Sequence, residues 1–238
     1  MKRGKLILIL FILVILLIII GNYIIKTERL KEQNYLDAYT KNKNLSKTIH
    51  IEVDTKTLYL VDNIKKEILK KYTIATGKPN SPTPLGTYEI TNKGKWGEGF
   101  GSRWMGLNVP WGKYGIHGTN KPGSIGFNAS GGCVRMRNSD IEELYDFVTV
   151  GTNVVITNGY YGPFGFGFRN LKPGAIGADV LEVQKRLNIL GYYSGALDGI
   201  YGESMKKSLI NFLKDNNLSL TDEVSHDIYS KLGIILMD

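Results

Sequence analysis

The spacing of hydrophobic residues changes along the chain, and each change predicts a different kind of element. Every residue from Leu6 to Ile20 is Leu, Ile, Val or Phe, and two more isoleucines complete the run by Ile25. Twenty helical residues rise about 30 Å, the thickness of the hydrocarbon core of a bilayer. Because three of the first five residues are Lys or Arg, the positive-inside rule predicts a cytoplasmic end at 1–5, a transmembrane helix at 6–25 and an extracytoplasmic body.

A cleaved signal peptide is the alternative interpretation of this apolar run. The residues at its end, IIGNY at 19–23, lack the small-x-small pattern of a cleavage site. We therefore expect an uncleaved, single-pass anchor in the cell membrane. Residues 26–47 are polar and rich in Lys, Glu and Asn, and they predict a helical or loose stalk.

Alternation of apolar and polar residues predicts a β domain at 48–157. Ile49, Ile51 and Val53 alternate with polar residues, and Leu58 and Leu60 repeat the pattern after a turn, as in a hairpin. Further strands are predicted at 64–74, 88–90 and 153–156, with a proline-rich turn at 79–86. A capping box at 139–142 predicts one short helix through residue 147. The expected architecture is a sandwich or an open barrel.

Beyond residue 175 the apolar period becomes 3.6, which predicts a small all-α domain of three helices at 175–234. Gly191 and Gly233 are placed to end the first and the last helix. Asp198-Gly199 lies between the first two helices, where a connecting turn is favoured over a cation loop because the other EF-hand ligands are missing. Residues 158–174 predict a linker rich in Gly and aromatic residues. Those aromatic residues could instead dock on the β domain or contact a partner.

Composition and charge narrow the class of protein. The chain has 238 residues, 42% of them hydrophobic, and a net charge of +8, which excludes a disordered, collagen-like or multi-span membrane protein. Residues 1–170 carry a net charge of +10 and the remainder −2. Because the lysines form no stripe, nucleic acid is a poor candidate partner, and an anionic surface or simply solvated lysine faces are favoured. One cysteine and three histidines make a disulfide impossible and a zinc site improbable.

The candidate chemistry lies in two short segments, GIHGT at 115–119 and SGGCVRM at 130–136. If the second is extended, Cys133, Arg135 and Arg137 share one face, while Val134 and Met136 share the other, which is the expected core face. An unpaired cysteine outside the cytosol is an oxidation liability unless it is used.

Activation of this thiol requires neighbours, because an ordinary thiol is only a few per cent thiolate at neutral pH. His117 could take its proton, the Arg135 charge favours the anion, and backbone N–H groups at 131–133 could stabilise an oxyanion. No Asp or Asn is evident by spacing to orient the imidazole, so a backbone carbonyl is the alternative. A lone Cys beside Val and Met is otherwise commonly a small core residue. We assign no catalytic role to His50 or His226.

These segments resemble the L,D-transpeptidases of the bacterial cell wall. The resemblance rests on His117-Gly118-Thr119, Gly126, Ser130-x-Gly132-Cys133-Val134-Arg135-Met136 and, upstream, Thr83-Pro84-x-Gly86-x-Tyr88. One departure is Gly131, where many members carry His. Residues 175–234 resemble the three-helix peptidoglycan-binding module through Gly177-x-Asp179-Val180-x-x-Val183-Gln184-x-x-Leu187 and Asp198-Gly199-x-Tyr201-Gly202.

The resemblance implies a mainly β fold of the L,D-transpeptidase sandwich type with one short helix, and a cysteine-dependent acyltransferase without metal or cofactor. Cys133 is then the nucleophile, His117 the general base and acid, and Gly118 the backbone orienter of the ring. Residues implied at the substrate or the oxyanion are Ser130, Gly132, Arg135 and Thr119.

The same resemblance implies peptidoglycan stem peptides as donor and acceptor, cross-linked between their third residues, with a role in cell-wall organisation and cell shape. Residues 175–234 would bind the wall polymer and residues 6–25 the membrane. An L,D-carboxypeptidase using water at the same site and a non-catalytic wall-binding anchor are the alternatives.

Overall fold

The computed structural model of the chain describes residues 16, 19–23, 25–32, 46–95 and 97–236. The chain divides into one unit ending at residue 45 and a second unit of residues 46–238. In the first unit the described residues are helical. None of the helices within the described ranges is both long and apolar enough to cross a membrane. The anchor predicted at 6–25 and the stalk predicted at 26–47 lie largely outside the described residues, so both stay predictions.

The β domain begins at Lys47 and contains, within the described part of the chain, ten strands and one α-helix. The strands are β1 (Lys47–Glu52), β2 (Thr57–Asp62), β3 (Glu67–Thr73), β4 (Thr76–Gly77), β5 (Gly86–Gly94), β6 (Trp104–Leu107), β7 (Tyr114–His117), β8 (Asn128–Ser130), β9 (Val134–Arg135) and β10 (Asn153–Thr157). The helix α1 (Asn138–Phe147) follows β9.

Eight of the strands form one mixed sheet. Its order is β3-β2-β1-β10-β5-β6-β7-β9, and β4 pairs with β8 in a separate two-stranded ribbon. β1 and β10 run parallel, as do β7 and β9, while the other pairs of the large sheet are antiparallel. The mainly β character is therefore confirmed.

The alternation of period two sets the core of this domain. In the β1–β2 hairpin Ile49 pairs with Leu60 and Ile51 with Leu58, and all four are fully buried. Their burial removes apolar surface from water, which contributes about 25 cal/mol per Å². The helix α1 covers the same core with two of its residues, Ile141 and Leu144.

Three predicted boundaries change in the structure. The strand predicted at 64–74 is β3, because the Asp62 carboxylate accepts hydrogen bonds from the N–H groups of Ile64 and Lys65 and turns the chain there. The predicted capping box is wrong: α1 begins at Asn138, no side chain caps it, and the Ser139 hydroxyl donates to Asp140 instead. Lys47, predicted as stalk, is the first residue of β1.

The helical module contains α2 (Ala178–Ile189), α3 (Glu203–Asp215) and α4 (His226–Lys231), which confirms the predicted C-terminal helices. Gly191 and Gly233 follow α2 and α4 at positive φ, +82° and +73°, as helix-ending glycines do. The apolar stripe of α2 includes one polar residue, Gln184, which is fully buried. Its amide bonds to Asp198, Gly199 and Ile200 and so fixes the predicted α2–α3 turn.

The aromatic segment predicted as a linker belongs partly to the helical module. Phe168 stacks on Tyr229 at 4.1 Å between ring centroids, and Phe164 contacts both rings edge-on. Tyr160 and Phe166 point outward and are largely exposed. The partly buried Phe164 and Phe168 therefore extend the packing of the module upstream of its predicted start at 175.

Candidate active site

Parallel pairing of β7 with β9 brings the two candidate segments together. Ile116 pairs with Val134 and His117 with Arg135. Ile116 and Val134 are buried in the core. Because side chains alternate along a strand, His117, Arg135 and the preceding Cys133 lie on the opposite face. The structure thus brings the predicted nucleophile, base and guanidinium to one side of the sheet.

Backbone hydrogen bonding fixes the imidazole of His117. Its Nδ1 lies 2.5 Å from the carbonyl oxygen of Gly118. Since a carbonyl can only accept, Nδ1 carries the proton and Nε2 is the basic nitrogen of the neutral ring. The Gly118 carbonyl therefore holds the ring in the tautomer that a general base requires.

Aromatic rings cover His117, which is only 3% exposed. Trp104 stacks on the imidazole at 5.8 Å, and Phe100 contacts it edge-on at 5.0 Å. Trp104 is itself held by a hydrogen bond from its indole N–H to Asn92 Oδ1, 2.9 Å long. The base is thus shielded from water on the side of these rings.

Asn138 supports the turn at Gly118 and Thr119 that follows His117, a role that the sequence did not reveal. Its Oδ1 accepts hydrogen bonds from the N–H of Thr119, at 3.1 Å, and from the N–H of Ser102, at 3.2 Å. A Cβ on Gly118 would collide with the same oxygen. The sequence shows an Asn at the start of a helix, shortly after β9, which is a common place for a side chain that accepts backbone hydrogen bonds. Its partners, Ser102 and Thr119, lie too far away in sequence to be inferred.

Ser130 braces the turn that carries the nucleophile. Its Oγ accepts a 3.0 Å hydrogen bond from the Gly132 N–H and donates a 2.6 Å bond to the Cys133 carbonyl. Gly132 has φ +116°, and a Cβ there would lie 2.6 Å from the Tyr114 ring. A Cβ on Gly131 would meet nothing within 4 Å. Residue 131, the one departure from the resembled motif, therefore faces open space.

Arg135 pairs with His117 of β7 on one side and with Ala75, just before the two-stranded β4–β8 ribbon, on the other. Its backbone pairs with Ala75 through two hydrogen bonds, and Nη1 donates to the Ala129 carbonyl at 3.4 Å. Its Nε is buried and has no hydrogen-bond partner among the described residues. A buried donor without a partner is costly, so this guanidinium is suited to bind an anionic or carbonyl group of a ligand.

Burial keeps both reactive groups uncharged in the free protein. Burial raises the pKa of the Cys133 thiol, although a hydrogen bond from the Gly115 backbone and the Arg135 charge oppose the shift. Burial lowers the pKa of His117, the Arg135 charge lowers it further, and the Gly118 and Phe100 backbones partly offset this. The pair thus rests as thiol and imidazole rather than as thiolate and imidazolium.

The remaining candidates have other positions. Thr119 is buried, and its hydroxyl accepts from the Lys121 N–H at 3.0 Å, so it stabilises the turn. Arg137 occupies the N-cap position of α1, beyond the end of β9, and its side chain faces Asp140, so it does not join Cys133 and Arg135 as the extended pattern predicted. His50 of β1 forms a hydrogen bond with Thr157 of β10, and His226, the first residue of α4, contacts the Phe168 ring. Within the described ranges no three His, Cys, Asp or Glu residues cluster to hold a metal.

Comparison with protein families matches two segments of the chain. Residues 46–156 match the L,D-transpeptidase catalytic domain, and residues 176–232 match a peptidoglycan-binding domain. Both matches agree with the β domain and the helical module described above.

Two relatives from Bacillus subtilis, both named as L,D-transpeptidases, are similar to the β domain. YkuD is 42% identical over 109 residues, which cover 45% of this chain and 64% of the relative. YqjB is 33% identical over 125 residues, which cover 46% of this chain and 71% of the relative. The chain therefore spans just under two thirds of the length of YkuD.

Among solved structures, the NMR structure of the catalytic domain of the Enterococcus faecium L,D-transpeptidase is similar to the β domain. It is 23% identical, the match covers 46% of this chain and 95% of that domain, and the TM-score is 0.41.

Proposed function

Because the chain belongs to the L,D-transpeptidase family, we propose that it cross-links peptidoglycan stem peptides through a thioester on Cys133. The observation that carries this proposal is the parallel pairing of β7 with β9, which places Cys133 and His117 on one face of the sheet. The orientation of the imidazole by the Gly118 carbonyl supports it.

In the acylation step, Sγ of Cys133 attacks the carbonyl carbon of the third residue of a donor tetrapeptide stem. Nε2 of His117 takes the thiol proton as the C–S bond forms. The tetrahedral intermediate then collapses, the C–N bond to the terminal D-alanine breaks, and His117 returns the proton to the departing amine. Proton transfer accompanies attack because the thiol is neutral before substrate binds.

In the second step, a side-chain amine of a neighbouring stem attacks the thioester. His117 accepts a proton from this amine and passes it to the leaving sulfur. The products are a cross-link between two third residues and the free thiol. Water in place of the amine would give the carboxypeptidase reaction.

The turn at 130–133 and Arg135 supply the electrostatic part of this mechanism. The Ser130 hydroxyl already bonds to the Cys133 carbonyl and to the Gly132 N–H. The Cys133 N–H is therefore the candidate donor to the oxyanion. The Gly132 N–H joins it only by giving up its bond to Ser130. The buried Nε of Arg135 binds a carbonyl or carboxylate oxygen of the donor stem.

The chain's other parts complete the proposal. The helical module binds the wall polymer and raises the local concentration of stems at the catalytic domain. Residues 6–25 hold the protein in the cell membrane with Cys133 outside, at the cell wall.

The test is the fate of Cys133. The full chain in detergent is incubated with a carbapenem, and its intact mass is recorded. The proposal expects an adduct that Cys133→Ala abolishes, and a folded wild-type chain without an adduct would indicate a non-catalytic anchor. Products from tetrapeptide muropeptides then separate the two reactions: dimers indicate the transpeptidase, and tripeptides alone indicate the carboxypeptidase.

A further inference from the structure

Trp111 lies in the connection between β6 and β7 and touches the core of the β domain with one side only. It is half-buried, packs against that core and contacts Tyr88 edge-on, with ring centroids 6.3 Å apart. The catalytic steps above make no use of it.

The other side of the Trp111 ring faces the helical module. A Cβ on Gly199, in the α2–α3 turn, would collide with this ring, whose Cζ3 lies 2.8 Å from that position. Gly199 is buried and has φ +68°, so both its conformation and its contact with the ring favour glycine.

The module holds this turn firmly. The Gly199 N–H donates to Oε1 of the buried Gln184 at 2.8 Å, and its carbonyl accepts from the Gly177 N–H at 3.0 Å. The turn therefore cannot move against Trp111 unless the core of the module moves with it.

Two further contacts lie along the same boundary. Glu182 of α2 lies close enough to Tyr88 for its charge to add to the larger effect of burial in raising the pKa of Tyr88. In the segment before the module, a Cβ on the buried Gly165 would lie 3.6 Å from Leu85 of the β domain.

The connection that carries Trp111 also leads to the nucleophile. Tyr114 follows three residues later as the first residue of β7, and its ring packs on Gly132, next to Cys133. The Gly199 contact is thus made by Trp111, three residues along the chain from Tyr114, whose ring packs on the turn that holds the thiol.

We propose that Trp111 docks the helical module on the β domain through Gly199, so that the module and the Cys133 turn behave as one rigid unit. The role of this unit rests on the proposed function: wall polymer bound by the module would present its stems to Cys133 in a fixed geometry. Trp111 is then a positioning residue that contacts neither substrate nor reacting atoms.

The test is calorimetric unfolding of the full chain in detergent, with Trp111→Ala, Trp111→Phe and the exposed Tyr160→Ala as matched control. Docking predicts that the wild type and the Tyr160 variant unfold residues 46–238 in one transition. In Trp111→Ala this transition splits into two, and the Tm of the module falls by about 5 °C or more, as expected for a small domain that loses a contact. In Trp111→Phe we expect a smaller fall in Tm. Two independent wild-type transitions that Trp111→Ala leaves unmoved would overturn the proposal.

If Trp111→Ala fails to fold, hydroxyl-radical footprinting of the wild type tests the docking of Trp111 instead. Relative to its intrinsic reactivity, a docked, half-buried Trp111 is oxidised more slowly than the exposed Tyr160, and a normalised rate as high as that of Tyr160 overturns docking. Both readouts are independent of catalysis. A chain without a carbapenem adduct but with one transition would therefore refute the proposed function and leave the docking intact.

Discussion

The side-chain oxygen of Asn138 accepts a hydrogen bond from the N–H of Thr119 at 3.1 Å, and this bond joins the start of α1 to the turn behind His117. Gly118 lies between His117 and Thr119, and its carbonyl selects the tautomer of the ring. The basicity of Nε2 thus depends on a residue that we do not expect to touch substrate.

Asn138→Ala removes the acceptor of two backbone N–H groups, those of Ser102 and Thr119. An unsatisfied buried donor costs about 1–3 kcal/mol, so we expect a Tm several degrees lower and slower acylation of Cys133 by a carbapenem. Thermal unfolding and a mass time course measure the two effects. The neighbouring exposed Ser139→Ala is the control and keeps wild-type values. Wild-type acylation in Asn138→Ala would mean that other contacts hold the Gly118 carbonyl.

The acylation rate has a pH dependence that follows from the two neutral groups. The base must be unprotonated, and burial lowers the pKa of His117 below its usual 6.5, so the rising limb has its midpoint below that value. Burial raises the pKa of the thiol above 9.0, so the rate stays level through neutral pH. Alkylation of Cys133 by iodoacetamide, which reports the thiolate, has its midpoint above 9. An alkylation midpoint near 6 or below would instead identify a thiolate–imidazolium pair.

Adjacent glycines before the nucleophile respond differently to a methyl group. Gly132→Ala introduces a Cβ at φ +116° against the Tyr114 ring, which we expect to cost about 1–3 kcal/mol and to abolish most acylation. Gly131→Ala is the matched control, because its Cβ meets open space. Gly131→His, the residue found in many family members, should fold equally well. Urea unfolding and adduct formation check all three, and equal losses in both alanine variants would contradict this account of the turn.

Two phenylalanines of the linker, one packed against the helical module and one exposed, should contribute differently to stability. Phe168→Ala removes a partly buried ring stacked on Tyr229 and should destabilise the module by about 1–3 kcal/mol. Phe166→Ala, at a position 62% exposed, should change stability by less than about 1 kcal/mol. Chemical denaturation of the full chain measures both. Similar losses in the two variants would show that residues 158–168 pack as one layer.

Local patterning predicts the parts of this protein that local interactions determine. The alternation through Ile49 and Ile51 gave the first hairpin, and the split between Cys133 and Val134 gave the two faces of β9. Gly191 and Gly233 end their helices as expected.

Long-range pairing accounts for what the sequence did not reveal. No period within 118–132 indicates that β7 and β9 run side by side in parallel. Asn138 acts on Ser102, 36 residues earlier in the chain. Gln184 is a polar residue inside an apolar stripe, and only the α2–α3 turn explains its burial. Such roles depend on partners that spacing alone cannot identify.

The protonated state of Cys133 at rest has a consequence for chemical durability. Thiolates attack peroxides and disulfides far faster than thiols do, and burial, which raises the pKa of Cys133, favours the thiol at neutral pH. If Cys133 acts as proposed, outside the cytoplasm, it would react slowly with oxidants between turnovers and become vulnerable only when His117 takes its proton in the presence of a bound acyl donor.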